Sequence, residues 1–218
     1  MKEKQNQDSY LWIPEVSKRV IDHGEVLFHN PLSWDEGKIA VFGVFDGHGK
    51  NGHLVSEFVK NQFEVCVWED PTVLMSRLKL TEMFENIHQK LITSIKWHKS
   101  GTTANLCVIQ NSKILWVNLG DSRSVIFTCD PESRWSATSL SREHNYSQKD
   151  ERERTENSGG KVQQFHNLQG FPFGPLRVWN KEVTTPGLAM SRSLGDELAH
   201  SLGVISTPGI LDIIIYRN

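Results

Sequence analysis

Ile39-Ala40-Val41-Phe42-Gly43-Val44-Phe45-Asp46-Gly47-His48-Gly49 is the stretch on which the reading of this chain turns. Its first part is a continuous apolar run and predicts a strand covered on both faces. The run stops at a carboxylate flanked by glycines, where backbone carbonyls can approach a cation or ligand closely. A carboxylate in that position is a natural ligand for a hard cation such as Mg²⁺ or Mn²⁺, and His48 stands close enough in sequence to hand a proton to a leaving group beside it. The stretch alone also admits a plain tight turn in which Asp46 caps backbone amides and His48 is merely exposed.

Outward from this stretch, residues 51–66 place Leu54, Val55, Phe58, Val59 and Phe63 at helical spacing, and Asp70-Pro71 ends that helix. A second helix is expected across much of 72–98, where Leu80, Met83, Phe84, Ile87, Leu91 and Ile95 form a core stripe. Residues 102–110, 113–119 and 124–128 are β-rich runs separated by Asn111-Ser112, Gly120-Asp121 and Asp130-Pro131, the punctuation of a β-meander. The mixed-sign run from Lys149 to Glu156, stopping at Gly159-Gly160, predicts a solvated helix with a glycine end. Residues 163–185, rich in Gly, Pro and aromatics, predict an ordered loop. Helices and antiparallel strands segregate along the chain, which argues for an α+β fold rather than a doubly wound parallel sheet.

Composition narrows the classes of function. The 218 residues are expected to form one domain spanning 1–218, and 38% hydrophobic with 23% charged residues is ordinary for a soluble globular chain. A net charge of −2 disfavours a nucleic-acid partner. The start, Met1 to Asp8, has no apolar signal region, and no stretch approaches the roughly 20 apolar residues of a membrane span, so the expectation is no membrane partner and a cytoplasmic or nuclear location. Cys66, Cys107 and Cys129 show no Cys-x-x-Cys spacing and read as buried reduced thiols. Of the histidines only His48 lies in a constellation. No Gly-x-x-x-x-Gly-Lys-Ser/Thr loop is present, and Gly120-Asp121-Ser122-Arg123 lacks the setting of a hydrolase triad, which removes the kinase, NTPase and serine-hydrolase readings.

Three further blocks follow the Asp46 stretch in order: Ser100-Gly101-Thr102-Thr103-Ala104, Gly120-Asp121-Ser122-Arg123, and Pro186-Gly187-Leu188-Ala189-Met190-Ser191-Arg192-Ser193-Leu194-Gly195-Asp196. Together with Asn6-Gln7-Asp8, Gly159-Gly160-Lys161-Val162 and Gly203-Val204-Ile205 with Pro208, they resemble the PP2C (PPM) family of metal-dependent protein serine/threonine phosphatases over nearly the whole chain. The resemblance implies a β-sandwich flanked by helical layers and hydrolysis of phosphoserine and phosphothreonine in phosphoprotein substrates. It implies two Mg²⁺ or Mn²⁺ ions about 3.5 to 4 Å apart, sharing a reactive water, with a third, weaker ion. On this reading Asp46 bridges the ions, Gly47 offers its carbonyl to one, Asp8 holds a metal-bound water, Asp121 serves the weaker position, and His48 is the general acid. Ser191, Arg192 and Asp196 are read as packing and salt-bridging residues, outside the catalysis. The 163–185 segment corresponds to the family's variable flap beside the active site.

The chain departs from the family pattern in two places. The motif before Asp8 offers only Lys2 and Lys4 where the family often carries a phosphate-binding arginine, and a lysine lacks the bidentate fork. Gln7 stands where many members have a glutamate. The sequence ends at Asn218 before the family's later Ala-Ser-Asp-Gly-like and Asp-Asn motifs, so the expectation is a C-terminally truncated domain lacking the final strands and helix, with fewer carboxylate ligands and an uncovered Ile-rich strand near 211–216. Asp212 has no setting that resembles the missing motif. Two classes of function stay open: a metal-dependent phosphatase, and a catalytically impaired regulatory or phosphoprotein-binding module.

Overall fold

A computed structural model describes residues 5–16, 19–22, 25–28, 39–94 and 99–214. The expectations placed on Lys2, Lys4, Ile95, Ile215 and Tyr216 lie outside the described residues. Four strands open the chain: β1 (Asp8–Val16), β2 (Arg19–Asp22), β3 (Glu25–Phe28) and β4 (Ile39–His48). Helix α1 (Gly52–Glu69), a short 3-10 turn (Pro71–Met75) and α2 (Arg77–Ser94) follow. Then come β5 (Gly101–Thr102), β6 (Ala104–Gln110), β7 (Lys113–Leu119), β8 (Val125–Cys129) and β9 (Trp135–Ser139). Helix α3 (Lys149–Asn157) precedes β10 (Lys161–His166), β11 (Pro172–Trp179), β12 (Pro186–Leu188) and β13 (Leu194–Gly195). Helix α4 (Glu197–His200) and β14 (Gly209–Ile214) complete the described chain.

The main sheet runs β13-β5-β4-β6-β7-β14, with β1 also paired to β4, and every pairing of named strands among the described residues is antiparallel. This is the α+β class that the segregation of elements predicts. Strand β4 is buried on one face only: Val41 and Phe45 are fully buried, whereas Val44 is 52% exposed. The expectation of a strand covered on both faces is corrected accordingly. Helices α1 and α2 lie on the covered face, where Phe63 joins the sheet to α2 through ring centroids 5.6 Å from Phe45 and 4.9 Å from Phe84. The opposite face carries the cross-strand pairs Trp12–Phe42 and Tyr10–Val44 and, at its end, Asp8–Asp46.

Helix α1 buries Val55, Val59, Phe63 and Val67 but leaves Leu54 39% exposed, so the stripe begins one residue later than its apolar content suggests. The second helix starts at Arg77 rather than near 72, because Pro71 initiates a 3-10 turn and the extended backbone of Ser76 resets the chain. The expected meander is only half formed. Strands β6 and β7 pair as a hairpin, but β8 turns away to pair with the exposed strand β9, and β14 takes the place beside β7. The segment read as a loop over 163–185 is mostly the β10–β11 hairpin, extended by β12. Helix α3 ends near Gly159 as the sequence suggests, but it is not simply solvated, since Glu151 and Thr155 are fully buried. Cys66 and Cys107 are half-buried free thiols, held above the ordinary thiol range by desolvation and in the case of Cys107 at about 11; Cys129 is exposed, against expectation.

A second core gathers Tyr146, Val178 of β11, Ala199 of α4 and Val204. The Tyr146 hydroxyl donates to the Met190 carbonyl at 3.0 Å, which ties this core to the segment leading into β13. Among the described residues no helix is long and apolar enough to cross a membrane.

Candidate active site

The register of β1 on β4 sets Asp8 directly opposite Asp46. Like charges placed across an antiparallel pair repel, so this arrangement invites a cation or a proton between them. Partial desolvation and then the Asp8 and Asp121 carboxylates hold Asp46 above the usual carboxylate range, with His48 acting in the opposite sense. The Asp46 backbone is clamped on both sides by Thr103: its N–H donates to Thr103 Oγ1 at 3.1 Å, and the Thr103 N–H donates to its carbonyl at 3.0 Å. The Thr103 hydroxyl, fully buried, lies 2.7 Å from Ser122 Oγ and thereby fixes the turn that carries Asp121. That turn is supported from behind by the Gly120 N–H, which donates to buried His144 Nδ1 at 3.2 Å.

Gly47 sits where three segments converge. Its N–H donates to the Gln7 carbonyl at 3.2 Å, and a Cβ there would come within 2.3 Å of both the Gln7 and Gly52 carbonyl oxygens. Gln7 closes the arrangement by donating from Nε2 to the Gly49 carbonyl at 2.9 Å. A glutamate cannot make that donation, so the residue at this position acts here as a loop clasp.

His48 Nε2 lies 2.6 Å from Asp196 Oδ2, across 148 positions of sequence. Ser193 Oγ donates to the same Asp196 oxygen at 2.7 Å. The His48 side chain is 22% exposed and that of Asp196 only 6%. Burial works against a charged ring, but the Asp196 carboxylate outweighs it and raises the His48 pKa above its ordinary value. Burial likewise opposes the Asp196 charge, yet His48 and Ser193 keep its pKa low.

The structure therefore brings Asp8, Asp46, Gly47 and His48 together at one end of β1 and β4, with Asp121 close enough to perturb Asp46. Asp212 is elsewhere: it lies on β14, with β6 and β7 between it and β4, and accepts from Arg77 Nε at 3.0 Å. Ser191 and Arg192 act structurally, both donating to buried Glu151. Asp196 does more than pack, because it touches His48; the sequence gives it no separate signal, since its partner lies in a distant block. The role of Thr103 was equally hidden in the Ser100–Ala104 block, although that block flags the place.

The donor set suits a hard divalent cation in kind, with two facing carboxylates, a third nearby, and a carbonyl on a residue that admits no side chain. Among the described residues, no three His, Cys, Asp or Glu side chains already converge as a closed cation shell.

Residues 17–217 match the family model described as Protein phosphatase 2C. Among curated proteins, the chain is 33% identical to "Probable protein phosphatase 2C 35" of Arabidopsis thaliana, covering 99% of this chain but 62% of the relative's length. Among solved structures, it is similar to a serine-threonine phosphatase 2C from Toxoplasma gondii, with a TM-score of 0.70, 19% identity, and coverage of 98% of this chain and 71% of that one. It is also similar to a C. elegans sex determining protein, with a TM-score of 0.66, 25% identity, and coverage of 99% of this chain and 46% of that one. The first of these likenesses speaks for the fold, and the chain spans less than two thirds of the curated relative.

Proposed function

Since the chain belongs to the protein phosphatase 2C family, we propose that it hydrolyses phosphoserine and phosphothreonine in phosphoprotein substrates with the help of Mg²⁺ or Mn²⁺. The observation that carries this reading is the pairing of Asp46 with Asp8 at the strand end that also presents His48. Asp46 would hold the metal, with Asp8, the Gly47 carbonyl and Asp121 around it. When bound, such ions neutralise charge on the phosphoryl oxygens and make a water nucleophilic near neutral pH.

The residues of the chain supply the rest. Thr103 fixes the Asp46 backbone and, through Ser122, the Asp121 turn, which keeps the Asp121 carboxylate near the facing pair Asp8 and Asp46. Their mutual repulsion keeps the site receptive to a cation. His48 stands beside them as general acid, giving its proton to the departing serine or threonine oxygen, a step worth roughly 10²- to 10⁴-fold in rate.

The test is turnover of a phosphothreonine peptide at millimolar Mn²⁺ by the wild-type chain and by Asp46→Asn. Metal-dependent release of phosphate that falls at least about 100-fold in the variant, with the fold intact by circular dichroism, supports the assignment. A correctly folded wild-type chain that binds the peptide but releases no phosphate overturns it in favour of a binding module.

A further inference from the structure

The row of residues His48, Gly101 and Gly195 runs across three neighbouring strands, with β5 lying between β4 and β13. Gly101 has no side chain, and the space above it is where the His48 ring meets the Asp196 carboxylate. A Cβ at Gly101 would stand 2.1 Å from Asp196 Oδ2 and 2.8 Å from His48 Nε2. Asp196 reaches this place because its own backbone is left-handed, at φ 47°, just after β13, while its N–H donates to the Ser100 carbonyl at 2.9 Å. The same carboxylate oxygen that meets His48 also accepts from Ser193 Oγ at 2.7 Å. On the His48 ring, Nε2 is thus engaged, whereas Nδ1 is buried and has no partner among the described residues.

We propose that Asp196 is a positioning residue that holds His48 by Nε2–H, making Nδ1 the nitrogen that delivers the proton, and that Gly101 is the spacer permitting this contact. The inference rests on the phosphatase reading above and deepens it. In the reaction a water oxygen bonds to phosphorus as the bond from phosphorus to the substrate oxygen breaks. The electron pair of that bond stays on the departing oxygen, which takes the proton from Nδ1. The ring is left neutral, still donating from Nε2 to Asp196. A carboxylate behind an imidazole fixes its tautomer and stabilises the cationic form, and a ring free to rotate would lose both effects.

The test compares two substrates that differ in their need for an acid. A phosphoserine peptide leaves as an alkoxide and depends on protonation, whereas p-nitrophenyl phosphate leaves as a stabilised phenolate and does not. Asp196→Asn is expected to lower kcat on the peptide about 100-fold but on the aryl ester less than about 5-fold, with KM little changed. Gly101→Ala, which alters neither partner, is expected to show the same selectivity because its methyl wedges the pair apart. A purely structural role would depress both substrates alike, and equal losses overturn the proposal while leaving the phosphatase assignment standing. Absence of turnover in the wild type overturns both.

A second readout needs no variant and no turnover. In the wild-type protein with saturating Mg²⁺, at a pH where the ring is neutral, ¹⁵N NMR should show His48 protonated at Nε2 and bare at Nδ1. The opposite tautomer overturns the proposal even if both variants fail to fold.

Discussion

Glu151 shows how far a single residue can depart from its local sequence. It sits in a run of alternating charges on α3, yet it is fully buried. It accepts from Arg192 Nε at 3.0 Å, from Arg154 at 2.7 Å and from Ser191 Oγ at 2.6 Å. Burial disfavours its charge, but these donors prevail and hold its pKa down at about 2, against an ordinary 4.5. A carboxyl lowered on folding contributes stability above its unfolded pKa and loses it as the pH falls through the folded one. The contribution is therefore complete above about pH 5 and declines between about 4.5 and 2. Glu151→Gln is expected to cost about 3 to 5 kcal/mol at pH 7, because it strands two guanidinium groups, and the difference from wild type should shrink over that acidic range in urea titrations. The charge pattern cannot reveal this role. It displays the carboxylate and Arg154, but Arg192 lies 41 positions away, and only tertiary structure brings it in. Asp46 and His48 were legible for the opposite reason, being set side by side at the end of one apolar strand.

At the level of elements, what could be read was what buries a regular face. Helices α1 and α2 announce themselves because their apolar residues recur at the helical period and pack on β4. Phe63 is the joint among all three, so Phe63→Ala should destabilise the chain by about 3 to 5 kcal/mol in urea unfolding. The Arg77–Asp212 pair that links α2 to β14 is exposed on both sides, and Asp212→Ala should cost less than about 1 kcal/mol in the same assay. A larger loss would give that surface contact a weight that its solvation does not support. Strand β8 was legible as the β-rich run 124–128, but β9 and the outer part of β11 escaped reading because they are exposed, and a strand with no buried face carries no alternation to detect. The β10–β11 hairpin was further disguised by Gly170 and Gly174, both in the left-handed region and normally marks of a loop.

On the scale of the molecule, the helices cover one face of the main sheet and the carboxylates open on the other. That second face also exposes Tyr10 by 73% and Trp12 by 69%, with Trp12 edge-on to Phe42 at 6.1 Å. Fold class was readable from the segregation of helices and strands, and the candidate residues Asp46 and His48 from one stretch. How the last block closes on the first was not, because it depends on β13 docking across β5 onto β4. This closure has a kinetic corollary. Contacts between segments so far apart form late, after the loop entropy separating them has been overcome. When the denatured chain is diluted into buffer, the far-ultraviolet signal of α1 and α2 should therefore recover before the His48 ring resonances reach their native positions in NMR. The delay should report the arrival of residue 196 beside residue 48, and simultaneous recovery of the two signals would mean that these two segments come together from the outset.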